Sequence, residues 1–275
     1  MVARKAGTGE AQRRIQSIEV GFRVIRVLED ANGPMPLRDI AAAAGMPPSK
    51  AHLYLVSFIQ EGVAFQDSET GHYGLGTFAI QLGLSAIRQL DVVGLAREHL
   101  VKLSDSTGYA AYLSLWGDRG PGIVSKVDGI YQGSLAVRLG YVLPLLSSAT
   151  GQIFHAFLNE GSTKALCESE LQELAAQPGE TRNVEALRAE VAAERDTIRA
   201  NGYAMSTNKV NWNFSAIAAP VYDYSYGIVA AVTVLGAQNS LRKAGLKNVV
   251  EQVLQTSRSL STSLGAAPSS SRFQG

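Results

Sequence analysis

Lys50 and His52 stand two residues apart near the start of a helix-forming stretch, between Ser49 and Tyr54. Ammonium, imidazole, hydroxyl and phenol groups presented from one helix can reach phosphate oxygens and base edges in a duplex groove. Ser49 has a second reading as an N-cap. Tyr54, near Ala51 and Phe58, has a second reading as core. Lys50 and His52 are therefore the strongest candidates for contact with double-stranded DNA.

Catalysis finds little to work with. The four histidines, at 52, 72, 99 and 155, lack zinc-ligand spacing, and Cys167 has no second cysteine to pair with. The sequence contains no Gly-x-Ser-x-Gly elbow, Walker loop or dinucleotide Gly-x-Gly-x-x-Gly. Ser147, Ser148 and His155 raise a hydrolase reading, but no base with an orienting partner can be named for it. Cys167 shares an amphipathic stretch with Leu166 and Leu171 and reads as a structural thiol. His99 reads as a helix-surface or core histidine. The expectation is a binding protein without metal or cofactor, not an enzyme.

The elements that must position Lys50 and His52 follow from local signals. Leu37 to Ala44 forms a short helix, ended by Gly45 in the left-handed conformation. Met46-Pro47-Pro48 turns the chain, and a second helix runs from Ser49 to Glu61, stopping at Gly62. This is a helix-turn-helix. Val63–Gln66 and His72–Leu75 flank a polar turn at 67–71, which predicts a hairpin wing and a winged helix over residues 15–76. Upstream, Ile15, Ile18, Phe22, Ile25 and Leu28 recur at steps of three or four and predict the core face of a first helix. In the second helix of the motif, Ala51, Leu55, Phe58 and Ile59 face inward, whereas Ser49, Lys50, His52, Leu53 and Ser57 do not. Arg38 and the wing residue His72 are placed to touch phosphate. Residues 1–14 read as a disordered basic arm whose Arg13 and Arg14 can follow the DNA backbone or a minor groove.

Composition sets the frame. The 275 residues suffice for two domains, and 46% hydrophobic residues suffice for real cores. A net charge of +1 and a pI near 7.8 do not advertise a nucleic-acid binder. A single cysteine excludes an intrachain disulfide, the N-terminus lacks a secretory apolar core, and the apolar run near Gly227–Ala237 is too short to span a bilayer. A soluble cytoplasmic protein with no membrane partner is expected.

Thr77 to Leu90 is apolar nearly all round, with Phe78, Ile80, Leu82, Leu84, Ile87 and Leu90. Such a helix is buried, either against the same helix of a second subunit or against its own chain. A two-fold symmetric DNA reader favours the former, so residues 77–91 read as a linker and dimerisation helix. Beyond it the pattern is mixed. Val92–Thr107, Ser148–Leu158 and Val184–Asn201 read as helices, the last capped by Asn183 and stopped by Gly202. Tyr109–Trp116, Ile123–Asp128, Ser134–Leu139, Tyr203–Ser206, Ser215–Val221 and Gly227–Leu235 read as strands. Ser240–Leu264 closes the domain with Leu246, Val249, Val250, Val253, Leu254 and Leu260 inward, and residues 265–275 read as a disordered tail. Helices on both sides of an antiparallel sheet make residues 92–264 an α+β domain.

Several short pieces share an order and spacing that are specific together. They are Ser49-Lys50-Ala51-His52 with Tyr54-Leu55, the wing Gly71-His72-Tyr73-Gly74-Leu75-Gly76, and Leu139-Gly140-Tyr141-Val142-Leu143-Pro144-Leu145. Ser148-Ala149-Thr150-Gly151 and Ile217-Ala218-Ala219-Pro220-Val221-Tyr222-Asp223 complete the set. With them the chain resembles the IclR family of bacterial transcription regulators over nearly its whole ordered length. The resemblance implies a winged helix joined through a linker helix to a GAF-like effector-binding domain. It also implies assembly as a homodimer or dimer of dimers, and a small carboxylic or aromatic acid that alters the hold on an operator as repressor or activator.

By the same resemblance, Leu143, Ala149, Thr150 and Gly151 belong to the ligand-lining segment, and Ser206, Ala216, Thr233 and Leu235 line the pocket from strands. Ala216 and Leu235 read equally well as core, because pocket walls and core look alike in sequence. The N-terminus of the helix at Ala149 suits a carboxylate, since free N–H groups and the dipole both favour negative charge. Trp212, in a polar loop, is placed to cover the cavity. Family members usually carry arginine where this chain has Leu53. Leucine makes only apolar contact there, so operator affinity is reduced, or the operator differs, or DNA binding has decayed into a sensing or interaction role.

Overall fold

Asn32-Gly33-Pro34 beyond its end and a glycine in its middle shape the first element. The computed structural model describes residues 15–88, 91–131, 137–179, 181–210, 213–243 and 245–266. It divides into two units, residues 1–90 and 91–275. The first holds α1 (Gln16–Asp30), α2 (Leu37–Ala43), α3 (Pro48–Gln60), β1 (Ala64–Gln66), β2 (Tyr73–Leu75) and α4 (Thr77–Arg88). Its core gathers Val24 and Leu28 from α1, Ile40 and Ala44 from the α2 region, Leu55 from α3, and Ala64 and Tyr73 from the hairpin.

The inward face of α1 differs from the expected one. Val20, Gly21, Val24 and Leu28 are buried, whereas Ile15, Ile18 and Phe22 are more than half exposed. Gly21 explains the choice. A Cβ there would lie 3.1 Å from the rings of Tyr54 and Phe58, so its absence lets α1 and α3 close on that side. The helix thus carries two apolar stripes, and the outer one faces solvent. The recognition helix also begins a residue earlier than expected. Pro47 occupies the cap position and Pro48 is the first helical residue, where its fixed φ is already helical and its missing N–H costs nothing. Ser49 makes no capping bond.

The wing forms as predicted. Ala64 pairs with Leu75 and Gln66 with Tyr73, and Met35 adds a bridge to Tyr73. Asp67 Oδ1 accepts from the N–H groups of Glu69 and Thr70 and from the Thr70 hydroxyl, fixing the turn. These bonds, the Thr70 N–H first among them, hold the Asp67 carboxyl below its usual range. In α4, Phe78, Ile80 and Leu82 are 45%, 61% and 60% exposed, so packing within the first unit does not cover them.

The second unit comprises α5 (Val92–Thr107), β3 (Ala110–Gly117), β4 (Gly120–Val127), α6 (Ala149–Phe157), α7 (Glu160–Ala175), α8 (Val184–Asn201), β5 (Ala204–Thr207), β6 (Phe214–Tyr222), β7 (Ile228–Ala237), α9 (Gln238–Lys243) and α10 (Leu246–Ser263). Among the described residues, five antiparallel strands run in the order β4-β3-β7-β6-β5. Alternate residues serve opposite faces. Ala216, Ala218 and Ala231 pack with α6 and α8, while Ile217, Ala219, Val221, Val232 and Val234 are buried beneath α5 and α10. The class is α+β, as expected.

Three elements depart from the sequence reading. The strand expected over 134–139 lies outside the described residues as far as 136, and residues 137–139 are not strand. Helix α7 was not anticipated. The closing helix is two helices, because Gly245 takes a φ of +83° and breaks it; within α10, Leu246, Val250 and Leu254 are only half-buried, and Ser257 and Ser261 share the inward face with Val249, Val253 and Leu260. The arm at 1–14, with Arg13 and Arg14, and most of the tail, from 267, lie outside the described residues.

Candidate functional site

The first candidate is the outer side of α3. Ala51 and Leu55 anchor the helix in the core, which turns Ser49, Lys50, His52 and Leu53 to solvent. Leu53 is 69% exposed. His52 is not a free surface group: its Nδ1 lies 3.4 Å from the hydroxyl of Tyr73, a buried residue of β2. The recognition helix is thereby tied to the wing. Tyr54 takes the packing role that the sequence left open, with its half-buried ring against Gly21. Arg38, on α2, has a side chain 91% exposed, with its Nε 3.4 Å from Asp39 Oδ1. His72 is half-buried where the turn re-enters β2.

The second candidate is a cavity in the C-terminal unit, enclosing about 490 Å³ of empty space including its mouth. The sheet register builds its floor. Tyr112 of β3 sits opposite Thr233 of β7, and Ala216 of β6 sits between Leu235 of β7 and Ser206 of β5. All five line the cavity. The start of α6 closes it. Ser148 caps that helix, accepting from Gly151 N at 2.9 Å while its hydroxyl donates to Pro144 O at 2.6 Å. That leaves the N–H groups of Ala149 and Thr150, the ones a helix start does not pair internally. Thr150 and Thr233 join hydroxyls at 2.8 Å, and Ser206 donates to Ser147 O at 2.7 Å.

Seven of the eight residues expected at the ligand, namely Leu143, Ala149, Thr150, Ser206, Ala216, Thr233 and Leu235, line this cavity. Gly151 does not line it. A Cβ at Gly151 would lie 2.2 Å from Pro144 O and 2.4 Å from Leu145 O, so this glycine lets α6 press against the preceding turn. Sequence reasoning missed Tyr112, Ser114, Ile123, Val137, Ser148, Lys209, Val210 and Phe214. For Tyr112 and Ser114 the available signal was strand alternation with Thr233. Trp212 lies outside the described residues.

A polar frame holds the cavity wall. The Glu170 carboxylate of α7 accepts from Leu145 N at 2.6 Å and Leu146 N at 2.8 Å. Gln152 donates to Leu146 O and to Glu194, whose carboxylate lies 3.5 Å from Lys209 Nζ. Among the described residues that line the cavity, Lys209 is the one charged side chain. Burial, with Asp128 nearby, pushes the Tyr112 phenol up to about 12, so it stays a donor across ordinary pH. Elsewhere, burial raises the half-buried Cys167 thiol, consistent with a structural role. Among the described residues no group of three potential metal ligands gathers, and no helix is long and apolar enough to cross a membrane.

An exposed recognition helix beside a wing, followed by a mixed α/β domain with its own cavity, defines a DNA-binding transcription regulator. Residues 84–262 match the family described as "Bacterial transcriptional regulator IclR C-terminal", and residues 17–68 match "IclR helix-turn-helix domain". The chain belongs to the IclR family of transcriptional regulators. It is 26% identical over 251 residues to the HTH-type transcriptional regulator XynR of Escherichia coli, covering 91% of this chain and 98% of that protein. It is 32% identical over 261 residues to the glycerol operon regulatory protein of Streptomyces griseus, covering 92% and 98%. The crystal structure of Pseudomonas aeruginosa HmgR superposes with a TM-score of 0.83 at 32% identity, covering 93% of this chain and all of that one.

Proposed function

We propose that this regulator binds its operator as a homodimer or dimer of dimers, and that a small organic or aromatic acid in the C-terminal cavity changes that binding. The observation that carries the effector part is the cavity's chemistry. Apolar walls meet the start of α6 and one cation, Lys209. Free N–H groups at a helix start and a nearby ammonium both favour a carboxylate. The dimer part rests on exposed apolar residues of the first unit. Phe78, Ile80 and Leu82 of α4, and Ile15, Ile18 and Phe22 of α1, are not covered by packing within that unit. Lys50 and His52 contact base edges or phosphates, Ser49, Arg38, His72 and the arm residues Arg13 and Arg14 assist, and Tyr54 supports the helix from within. The protein acts in the cytoplasm and is not an enzyme; the Ser148 hydroxyl is engaged at both ends of its cap rather than offered to a base.

The test is fluorescence anisotropy of the purified protein on its own promoter region, titrated with salt and with a panel of carboxylic acids. Salt-sensitive, sequence-specific binding that shifts with one acid supports the proposal. Lack of specific binding at low salt, with and without the acids, overturns it. A second reading has its own observation: Leu53, at 69% exposure, stands where an arginine would reach DNA. Under that reading the chain is a small-molecule sensor or interaction module with weakened DNA binding. Operator binding seen only in Leu53→Arg would favour it.

A further inference from the structure

Two hydroxyls in the cavity are unpaired. Among the described residues, five buried side-chain polar atoms lack a hydrogen-bond partner, and Tyr112 Oη and Ser114 Oγ are two of them. Both residues line the cavity, at 2% and 0% exposure. They lie two apart on β3, so their side chains share one face of the sheet. Folded proteins seldom leave such groups unmatched, because burying a hydroxyl without a partner forfeits its bonds to water.

The neighbouring hydroxyls make the contrast. Thr150 and Thr233 satisfy each other, Ser206 is bonded to Ser147 O, and Ser148 is bonded to Pro144 O and Gly151 N. Tyr112 is the cross-strand partner of Thr233, and Ser114 sits two pairs further along, opposite Ala231. On the β7 side Tyr112 thus neighbours the residue that holds Thr150, and Ser114 does not. Both belong to a cavity whose other lining residues include the apolar Ile123, Val137 and Leu143.

We propose that the acid bound in this cavity carries a second hydrogen-bonding oxygen, a hydroxyl or a carbonyl, and that Tyr112 and Ser114 select for it. The inference rests on the effector reading given above. The carboxylate goes to the start of α6, and the second oxygen satisfies the pair on β3. An acid lacking that oxygen leaves both hydroxyls buried and unpaired, and sites built to hydrogen-bond a ligand oxygen discriminate strongly against such analogues.

Isothermal titration calorimetry on the full-length protein tests this with three matched pairs: benzoate and 4-hydroxybenzoate, phenylacetate and 4-hydroxyphenylacetate, hexanoate and 6-hydroxyhexanoate. In at least one pair the hydroxylated acid should bind about tenfold more tightly or better. The Tyr112→Phe/Ser114→Ala double variant should bring that ratio within about twofold. Its ligand-free melting temperature should equal or exceed that of the wild type, an outcome that a structural role for these hydroxyls would not give. Equal binding within every pair by the wild type overturns the inference and leaves the effector reading standing; this arm needs no variant. A double variant that keeps the ratio also overturns it. Failure of all six acids to bind removes the effector reading, and this inference with it.

Discussion

The imidazole Nδ1 of His52 lies 3.4 Å from the hydroxyl of Tyr73, so the recognition helix is fastened to the wing through a residue only 3% exposed. When the hydroxyl donates to Nδ1, the proton of the ring sits on Nε2, which is then a donor for DNA. The pair should behave as a unit. His52→Ala is expected to weaken operator binding by about 1–3 kcal/mol, as for the loss of one base contact. Tyr73→Phe should cost less, by loss of orientation, and should cost nothing further once His52 is alanine. A double-mutant cycle by anisotropy checks this, and additive losses would show that the two residues act separately.

Leu53→Arg should strengthen DNA binding. The side chain is 69% exposed, so the substitution disturbs no core and should change stability by no more than about 0.5 kcal/mol. One added phosphate contact steepens the dependence of log affinity on log salt by about one unit. An unchanged salt slope would mean that this position does not reach the duplex.

Acid sensitivity should involve two histidines. His155 is held below its ordinary value of 6.5, first by burial and then by Arg195 and Arg199. His99 is held below it by burial and Lys102. Between the folded value and 6.5 the unfolded chain binds more protons, so stability rises with pH through that window. The contribution is complete above 6.5 and is lost as pH falls through the folded values. Carboxylates lowered by partners, such as Glu168 beside Arg188, act separately, below 4.5. Urea melts of wild type and His99→Gln/His155→Gln between pH 7.5 and 5 should show a shallower decline for the variant. Parallel declines would assign the sensitivity elsewhere.

What was legible in the sequence follows the range of the signals. Helix α8 spans Val184–Asn201 as read, because Asn183 and Gly202 cap it through local bonds. The cavity floor was half legible. Alternation marks which strand residues share a face, but not whether ligand or core fills the space above them, so Thr233 and Leu235 came from family resemblance, and Tyr112 and Ser114 were read only as part of the strand Tyr109–Trp116. Helix α7 gave no clear pattern, since only Thr163 and Leu171 of its residues are buried. The outward stripe of α1 was misread for a tertiary reason. Periodicity counted Ile15, Ile18 and Phe22 as core, while the close approach at Gly21 turned a different side inward.

Glu170 should prove to be a fastening for the cavity wall. Its carboxylate accepts both Leu145 N and Leu146 N, joining α7 to the turn that precedes α6. Glu170→Ala leaves those N–H groups without their acceptor and should destabilise the C-terminal unit by about 2–3 kcal/mol. Glu170→Gln keeps one acceptor oxygen and should cost less than half as much. Thermal melts give the comparison; equal losses for the two variants would point to packing rather than to these bonds.

The Thr150–Thr233 pair separates folding from ligand binding. The two hydroxyls lie 2.8 Å apart at 2% and 6% exposure, and both face the cavity. Thr233→Val alone strands the Thr150 hydroxyl, at an expected cost of about 1–3 kcal/mol. Thr150→Val alone should do the same to Thr233. The double valine variant removes both polar groups and nearly conserves volume, so its stability should return to within about 1 kcal/mol of wild type. Recovery of stability without recovery of acid binding would show that the hydroxyls serve the ligand as well as each other. A double variant as unstable as the sum of the singles would show that the pair is not what the singles lose.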